Sequence, residues 1–357
     1  MDIGLKGLGE DWKFHTEVFN KKNKTIYPFS IGNPNIELPK TIKESIITAL
    51  NNYDTHYIPV RGRQEVNQLL AEIYNVSISN VQVTHGAQAG LYLSMKTAYL
   101  MNKKPFLIID LPYLTTHDIL NSLDAKSYTI KDLNQLSLYN NKVGTVILMN
   151  PVSPTGKVWS KEDLEKIGDF CKQNDCLCIS DEVYSDFIYK GKHNSVLNVN
   201  SLKDRSCVIY SASKSFAMPG LRMGWVISSE YWIKQISLLM SSTHASLSGA
   251  ILSGLYTALK NKDEIIESVS SIIKERLDIF YPYVKDYANY PDSGMFILIN
   301  TNKPYELAQI LANNNIASIP TSEIGLPNKL RLSFSHDPSL LHQGGSLLND
   351  ILREELK

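Results

Sequence analysis

The sequence predicts an α/β protein: a large, mainly parallel sheet covered by helices, with a smaller α+β domain beside it. Three observations carry that prediction. Short apolar strands alternate with amphipathic helices through the middle of the chain. Residues able to do chemistry follow those strands at their carboxyl ends, where open α/β sheets bind ligands. The last third changes pattern, to one long helix and two separated strands.

The elements follow in order. Ile42, Ile46, Ile47 and Leu50 recur at helical spacing and mark one helix face. Val83-Thr84-His85-Gly86 reads as a strand, a turn and the start of a helix carrying Leu91, Leu93, Met95 and Ala98. Residues 106–109 and 143–149 are apolar runs of strand length. Residues 161–173 form an amphipathic helix with Leu164, Ile167 and Phe170 inward. Residues 177–179 and 207–210 are further strands. A helix is expected over about 263–287, then strands at 294–299 and 329–334. The large domain is therefore set at 41–262, with the small one taking 263–357.

With 357 residues the chain is too long for one small core. Lys plus Arg and Asp plus Glu are 36 each, so the net charge is zero. That leaves no electrostatic footprint for nucleic acid or an anionic membrane. Residues 1–6 hold no apolar signal core, and no run nears the ~20 apolar residues of a membrane span. A cytoplasmic protein is expected. Cys171, Cys176, Cys178 and Cys207 are too few for a disulfide framework. With no C-x-x-C pair and no histidine in step, they read as buried thiols, and no metal site is expected.

Lys214 is the most informative residue. An apolar, strand-forming run, Cys207-Val208-Ile209-Tyr210, leads into Ser211-Ala212-Ser213-Lys214, and Arg222 follows eight residues on. A lysine among hydroxyls and a guanidinium suits a Schiff base with an aldehyde whose phosphate rests on Ser211, Ser213 and Arg222. That aldehyde is pyridoxal 5'-phosphate, PLP. Asp181 and Tyr184 follow the strand at 177. A carboxylate there keeps a pyridinium nitrogen protonated, and Tyr184 reaches the 3'-oxygen of the ring. Glu182 reads as structural. The strand-turn-helix at Gly86 offers free N–H groups and a helix dipole, which suit an anion.

The pattern Ser211-x-Ser213-Lys214, with Arg222-x-Gly224 beyond it, resembles the lysine motif of the fold-type I, class I/II aminotransferase family. Asp181 stands thirty-three residues ahead of Lys214, as in that family. The resemblance implies that Gly86, Ala87 and Gln88 hold the cofactor phosphate. Asp110-Leu111-Pro112-Tyr113 resembles the family's Asp-Pro-x-Tyr with its proline displaced by one. Tyr113 is the expected stacking ring, with His117 in reserve. Asn150-Pro151-Val152-Ser153-Pro154-Thr155-Gly156 resembles Asn-Pro-x-Asn-Pro-Thr-Gly, with Ser153 replacing the functional asparagine. A hydroxyl still donates, with fewer donors and a shorter reach than an amide. Asn150 is kept as a cofactor contact, although its place suits support of the loop.

Tyr57 to Gly62 resembles the segment whose tyrosine reaches the phosphate in the neighbouring subunit, which implies a homodimer with shared sites. Ile31-Gly32-Asn33-Pro34 resembles the loop that closes over substrate, so Gly32 is a substrate contact. Arg331 matches the arginine for the substrate carboxylate, where a planar guanidinium pairs both oxygens. The similarity runs from about residue 31 to 334 and implies that residues 1–40 join the small domain.

Transamination between an α-amino acid and a keto acid is the function that follows. No second arginine is identifiable for a distal carboxylate, so a dedicated aspartate enzyme is not expected. An alternative keeps fold and cofactor but eliminates, cyclises or oxidises an amino acid. Glu10-Asp11-Trp12-Lys13-Phe14 and the turn at 83–86 resemble capreomycidine synthase-like enzymes, which act on arginine derivatives. A PLP-binding regulator is a third reading. The first 30 residues are too short for its DNA-binding domain and show no helix-turn-helix pattern.

Overall fold

The computed structural model describes residues 9–21, 24–52 and 55–356, so the expectation for residues 1–6 lies outside the described residues. Seven strands form the large sheet: β1 (Val81–Thr84), β2 (Phe106–Ile109), β3 (Ser127–Ile130), β4 (Thr145–Met149), β5 (Leu177–Asp181), β6 (Ser206–Ser211) and β7 (Gly224–Ser228). Their order is β1-β7-β6-β5-β4-β2-β3. The pairs from β6 through β5, β4 and β2 to β3 are parallel. Only β7 runs against its neighbours, β1 and β6. The second sheet is antiparallel, with β10 (Lys329–Ser333) between β8 (Phe296–Asn300) and β9 (Ile319–Pro320).

The helices are α1 (Lys13–Phe19), α2 (Lys40–Asn51), α3 (Gln64–Tyr74), α4 (Gly86–Asn102), α5 (Thr116–Ser122) and α6 (Lys161–Gln173). They continue with α7 (Ala212–Ser215), α8 (Glu230–Thr243), α9 (Gly249–Lys260), α10 (Lys262–Phe280), α11 (Pro304–Asn313) and α12 (Pro338–Glu355). Every residue of β2, β4, β5 and β6 is buried, as strands covered on both faces require. α4 packs across β5, β6 and β7 and seals one face. Leu164, Ile167 and Phe170 of α6 are buried against the sheet layer, as the periodicity predicts.

Several details differ from the expectations, β9 among them as a third strand in the last third of the chain, where two were expected. β3 was not foreseen, because it is an edge strand with only Ile130 buried and so carries little apolar signal. β7 was not foreseen either. The chain leaves β6, makes the short α7 and returns beside the same strand, too tight a path for a parallel crossover. The long helix stops at Phe280 and gives way to a 3-10 turn at Tyr281–Tyr283. Pro282 lacks the N–H that would continue it. On α2 the inward stripe is Ile42 with Ala49, while Ile47 and Leu50 are 46% and 51% exposed. The four cysteines are buried free thiols. No helix among the described residues is long and apolar enough to cross a membrane.

Candidate active site

The carboxyl ends of the parallel strands open into a cavity of about 450 Å³. β5 delivers Asp181, β6 delivers Ser211, and α7 adds Ser213 and Lys214. The loop after β4 supplies Ser153, and the loop after β2 supplies Tyr113. Ala87 and Gln88 enter from the first turn of α4. The opposite wall comes from the small sheet and the N-terminal loop, as Arg331, Phe296, Gly32 and Trp12.

Lys214 sits in a helix of one turn. Ser211 caps it, its Oγ accepting from the Ser213 N–H at 3.1 Å. The Lys214 ammonium donates to the Gly32 carbonyl of the opposite wall. Burial, with the charges of Arg331 and Arg222 adding to it, brings its pKa down to about 8. An amine held there is partly free near neutral pH and can act as nucleophile or base.

Two glycines bring the anion-binding groups together. Gly86 has φ +79°, and a Cβ on it would lie 2.6 Å from the Arg222 guanidinium. A Cβ on Gly224 would lie 2.6 Å from the Ala87 amide nitrogen. So β7, the start of α4 and Arg222 meet only because both positions lack side chains. Arg222 itself donates to the Pro219 carbonyl at 2.8 Å.

Asp181 is 7% exposed, and its carboxylate accepts only the Val183 N–H, at 3.1 Å, among the described residues. Burial pushes its carboxyl up to about 6, and the neighbouring Glu182 charge adds to this while the Val183 N–H opposes it. Glu182 faces away from the cavity. Ser180, Val196, Tyr210 and His193 all bond its carboxylate at 3.0–3.1 Å, which makes it the structural member of the pair. Tyr184 is buried with its ring edge on Phe296 at 6.3 Å, and Ser153 bonds its hydroxyl. Burial raises the Tyr184 hydroxyl pKa, and it raises that of Tyr113 as well, with Asp181 contributing.

Arg331 lies in the middle strand of the small sheet, 8% exposed. It donates to the Ser30 carbonyl at 2.9 Å and stands over the Phe296 ring at 4.5 Å and the Trp12 ring at 5.9 Å. Burial lowers its pKa to about 10. Its Nε has no partner among the described residues.

Three sequence candidates stand outside this set. Asn150 is fully buried and donates to the Asn194 carbonyl at 2.6 Å, holding the loop rather than lining the cavity. Gly86 lies behind Ala87 and Gln88. Tyr57 is 92% exposed and away from this cavity. His117, the reserve for the stacking ring, lines the cavity with Tyr113. Reasoning from the sequence missed Asp11, Trp12, Phe296 and Glu323 as cavity residues. Nothing local marks them, because packing between distant segments places them there.

Comparison with known proteins bears on this geometry. The family model for aminotransferase class I and II matches residues 24–344. A protein of Methanocaldococcus jannaschii named a probable aspartate aminotransferase is 28% identical over 346 residues, covering 90% of this chain and 91% of its own. An arginine–pyruvate transaminase of Pseudomonas aeruginosa is 25% identical over 325 residues, covering 85% and 82%. Among solved structures, a double mutant of Thermus thermophilus aspartate aminotransferase superposes with a TM-score of 0.89 at 19% identity, covering 96% of this chain and 97% of that one. That last similarity speaks for the fold. With most of its length inside the family match, the chain belongs to the aminotransferase class I and II family and is an aminotransferase.

Proposed function

We propose that the chain exchanges an amino group between an α-amino acid and a keto acid, using PLP carried on Lys214. The observation that carries the reading is one cavity gathering Lys214, Asp181, Arg222 and Arg331. The residues fit the group. Arg222, Ser211, Ser213 and the α4 N-terminus at Ala87 and Gln88 make an anion cradle for its phosphate. Asp181 is a buried carboxylate with no ion pair among the described residues, which suits a protonated ring nitrogen. The bound cofactor supplies an electron sink for the charge that develops when a substrate loses its Cα proton.

The protein's own groups do the rest. Arg331 holds the substrate α-carboxylate and fixes the direction of the Cα–H bond. Lys214 Nζ would take that proton and hold it for return, as a general base and then acid. Asp181 would keep the ring nitrogen protonated. Tyr184 and Ser153 would hold the 3'-oxygen, and Tyr113 would cover the ring face. Gly32 closes the site beside the substrate.

The reading includes a homodimer in which Tyr57 serves the partner's site. Its 92% exposed ring, with exposed Ile47 and Leu50 on α2, supports that assembly. Sedimentation is expected to show no monomer at micromolar concentration, and a fully active monomer would rule out a shared site. It includes a cytoplasmic location, which four free thiols suit. It divides the chain into 41–262 and 1–40 with 263–357. The seven-stranded sheet falls within the first part and the three-stranded sheet within the second.

Borohydride reduction of the holoenzyme followed by peptide mapping tests the reading. A pyridoxyl group is expected on Lys214, and labelling of another lysine would overturn the assignment. An amino donor supplied alone should leave pyridoxamine phosphate. Release of ammonia or a cyclised product with PLP regenerated would favour elimination, cyclisation or oxidation, and Ser153 in place of asparagine would be the first position to examine.

A further inference from the structure

The charges lining the cavity do not balance at its substrate end. Its cations are Lys214, Arg222 and Arg331, and its carboxylates are Asp11, Asp118, Asp181 and Glu323. On the proposed function, on which this inference rests, every cation is already engaged. Lys214 holds the aldehyde, Arg222 the phosphate and Arg331 the α-carboxylate. Asp181 faces the ring nitrogen. Asp118 has an interaction of its own and carries no weight here. Among the described residues, and with Arg331 given to the α-carboxylate, Asp11 and Glu323 are left without a counter-charge.

Asp11 stands beside Arg331, and Glu323 stands beside Asp11. Trp12, next to Asp11, lies under the Arg331 guanidinium at 5.9 Å, and Asp11 feels the Arg331 charge. Asp11 Oδ2 accepts the Glu323 N–H at 3.2 Å. Asp11 is 3% exposed, and its other oxygen accepts the Tyr305 hydroxyl at 2.6 Å. A phenol and an amide are neutral donors, and no salt bridge reaches Asp11 among the described residues. A carboxylate buried without a cation is costly unless something binds beside it. Arg331, more than nine-tenths buried with Nε unpartnered, points to a ligand at the same place. A side-chain carboxylate arriving there would meet two like charges and no free cation among the described residues.

We propose that Asp11, with Glu323 beside it, selects an amino acid whose side chain ends in a cation, an amine or guanidinium on an aliphatic stem. Asp11 is the specificity-determining residue, and Glu323 adds charge from a more exposed position.

The test compares holoenzyme kcat/KM for lysine, ornithine and arginine with that for norleucine, which is of similar length and uncharged, and for aspartate. At least one cationic substrate is expected to exceed norleucine by roughly 10- to 100-fold, the range of a charge-assisted hydrogen bond. Asp11→Asn should shrink that ratio by a similar factor, mainly through KM. Calorimetry with α-methylornithine, which has no Cα proton to lose, should show weaker binding by the same factor. Glu323→Gln, at an exposed site, should shift the ratio in the same direction by less and stands in if Asp11→Asn does not fold. Preference for aspartate or norleucine, or an unchanged ratio in a folded Asp11→Asn protein, would overturn the proposal. If no amino acid changes the cofactor absorbance, the Lys214 reading falls first and takes this one with it.

Discussion

The two walls of the cavity are built by opposite means. One is the carboxyl edge of the seven-stranded sheet, where Asp181, Ser211, Lys214 and Tyr113 each sit within a few residues of a strand end. The other is assembled from Asp11, Gly32, Phe296, Glu323 and Arg331, which span more than 300 positions of chain. The first wall bears groups suited to the cofactor, and the second bears groups suited to the substrate. A reaction type can thus be written in short local motifs while its selectivity depends on how remote segments pack.

Substitutions on each wall sharpen that contrast. The largest effect belongs to the first. Lys214→Ala should lower kcat by roughly 10⁴-fold, the upper end for a lost general base, in steady-state assays of protein reconstituted with PLP. Activity within tenfold of wild type would mean that another group moves the proton. Asp181→Asn should reduce kcat by roughly 10²–10³-fold, since the ring nitrogen loses the partner that keeps it charged. Near wild-type turnover in a folded variant would remove Asp181 from the mechanism.

The second wall should respond in KM. Arg331→Lys should raise KM roughly 10- to 100-fold with a smaller change in kcat, because one ammonium cannot copy the paired hydrogen bonds of a guanidinium. An unchanged KM would move the carboxylate site elsewhere. The smallest effect concerns stability without cofactor. The Asp181 carboxyl titrates at about 6 in the folded chain against an ordinary 3.8. Between those values the folded state keeps a proton that the unfolded chain has released, so stability falls as pH rises through the window. Above about pH 6 the cost is on the order of 2–3 kcal/mol, and below about pH 4 it vanishes. Asp181→Asn should therefore raise the urea midpoint of the cofactor-free protein at pH 7 and not at pH 3.5. Equal midpoints at both would contradict an ionised, buried Asp181.

The same division governs how much could be read from the chain. The parallel strands were legible because fully buried strands are continuous apolar runs, as at 106–109 and 207–210. β3 was not, since an edge strand facing solvent looks like loop. The outward turn of Ile47 and Leu50 was hidden because helical spacing gives a stripe but not the surface it meets. At the site, Ser211, Ser213, Lys214 and Arg222 were readable as one segment. Asn150 was read both as a cofactor contact and as loop support, because a loop motif does not say which of its side chains turns inward, and its bond to Asn194 suits the second. Asp11 was quoted from the sequence only as part of a resemblance. Its role depends on Tyr305 and Glu323, some 300 residues away.

The bond from the Lys214 amine to the Gly32 carbonyl ties the two walls to each other. Condensation of that ammonium with an aldehyde would release two of its three protons in water and leave one N–H, held in the plane of the new double bond. Loading the enzyme would then loosen one latch on the segment at 31–34. Amide hydrogen exchange around Gly32 would then be faster in the loaded protein than in the empty one, the reverse of the protection a bound ligand usually confers.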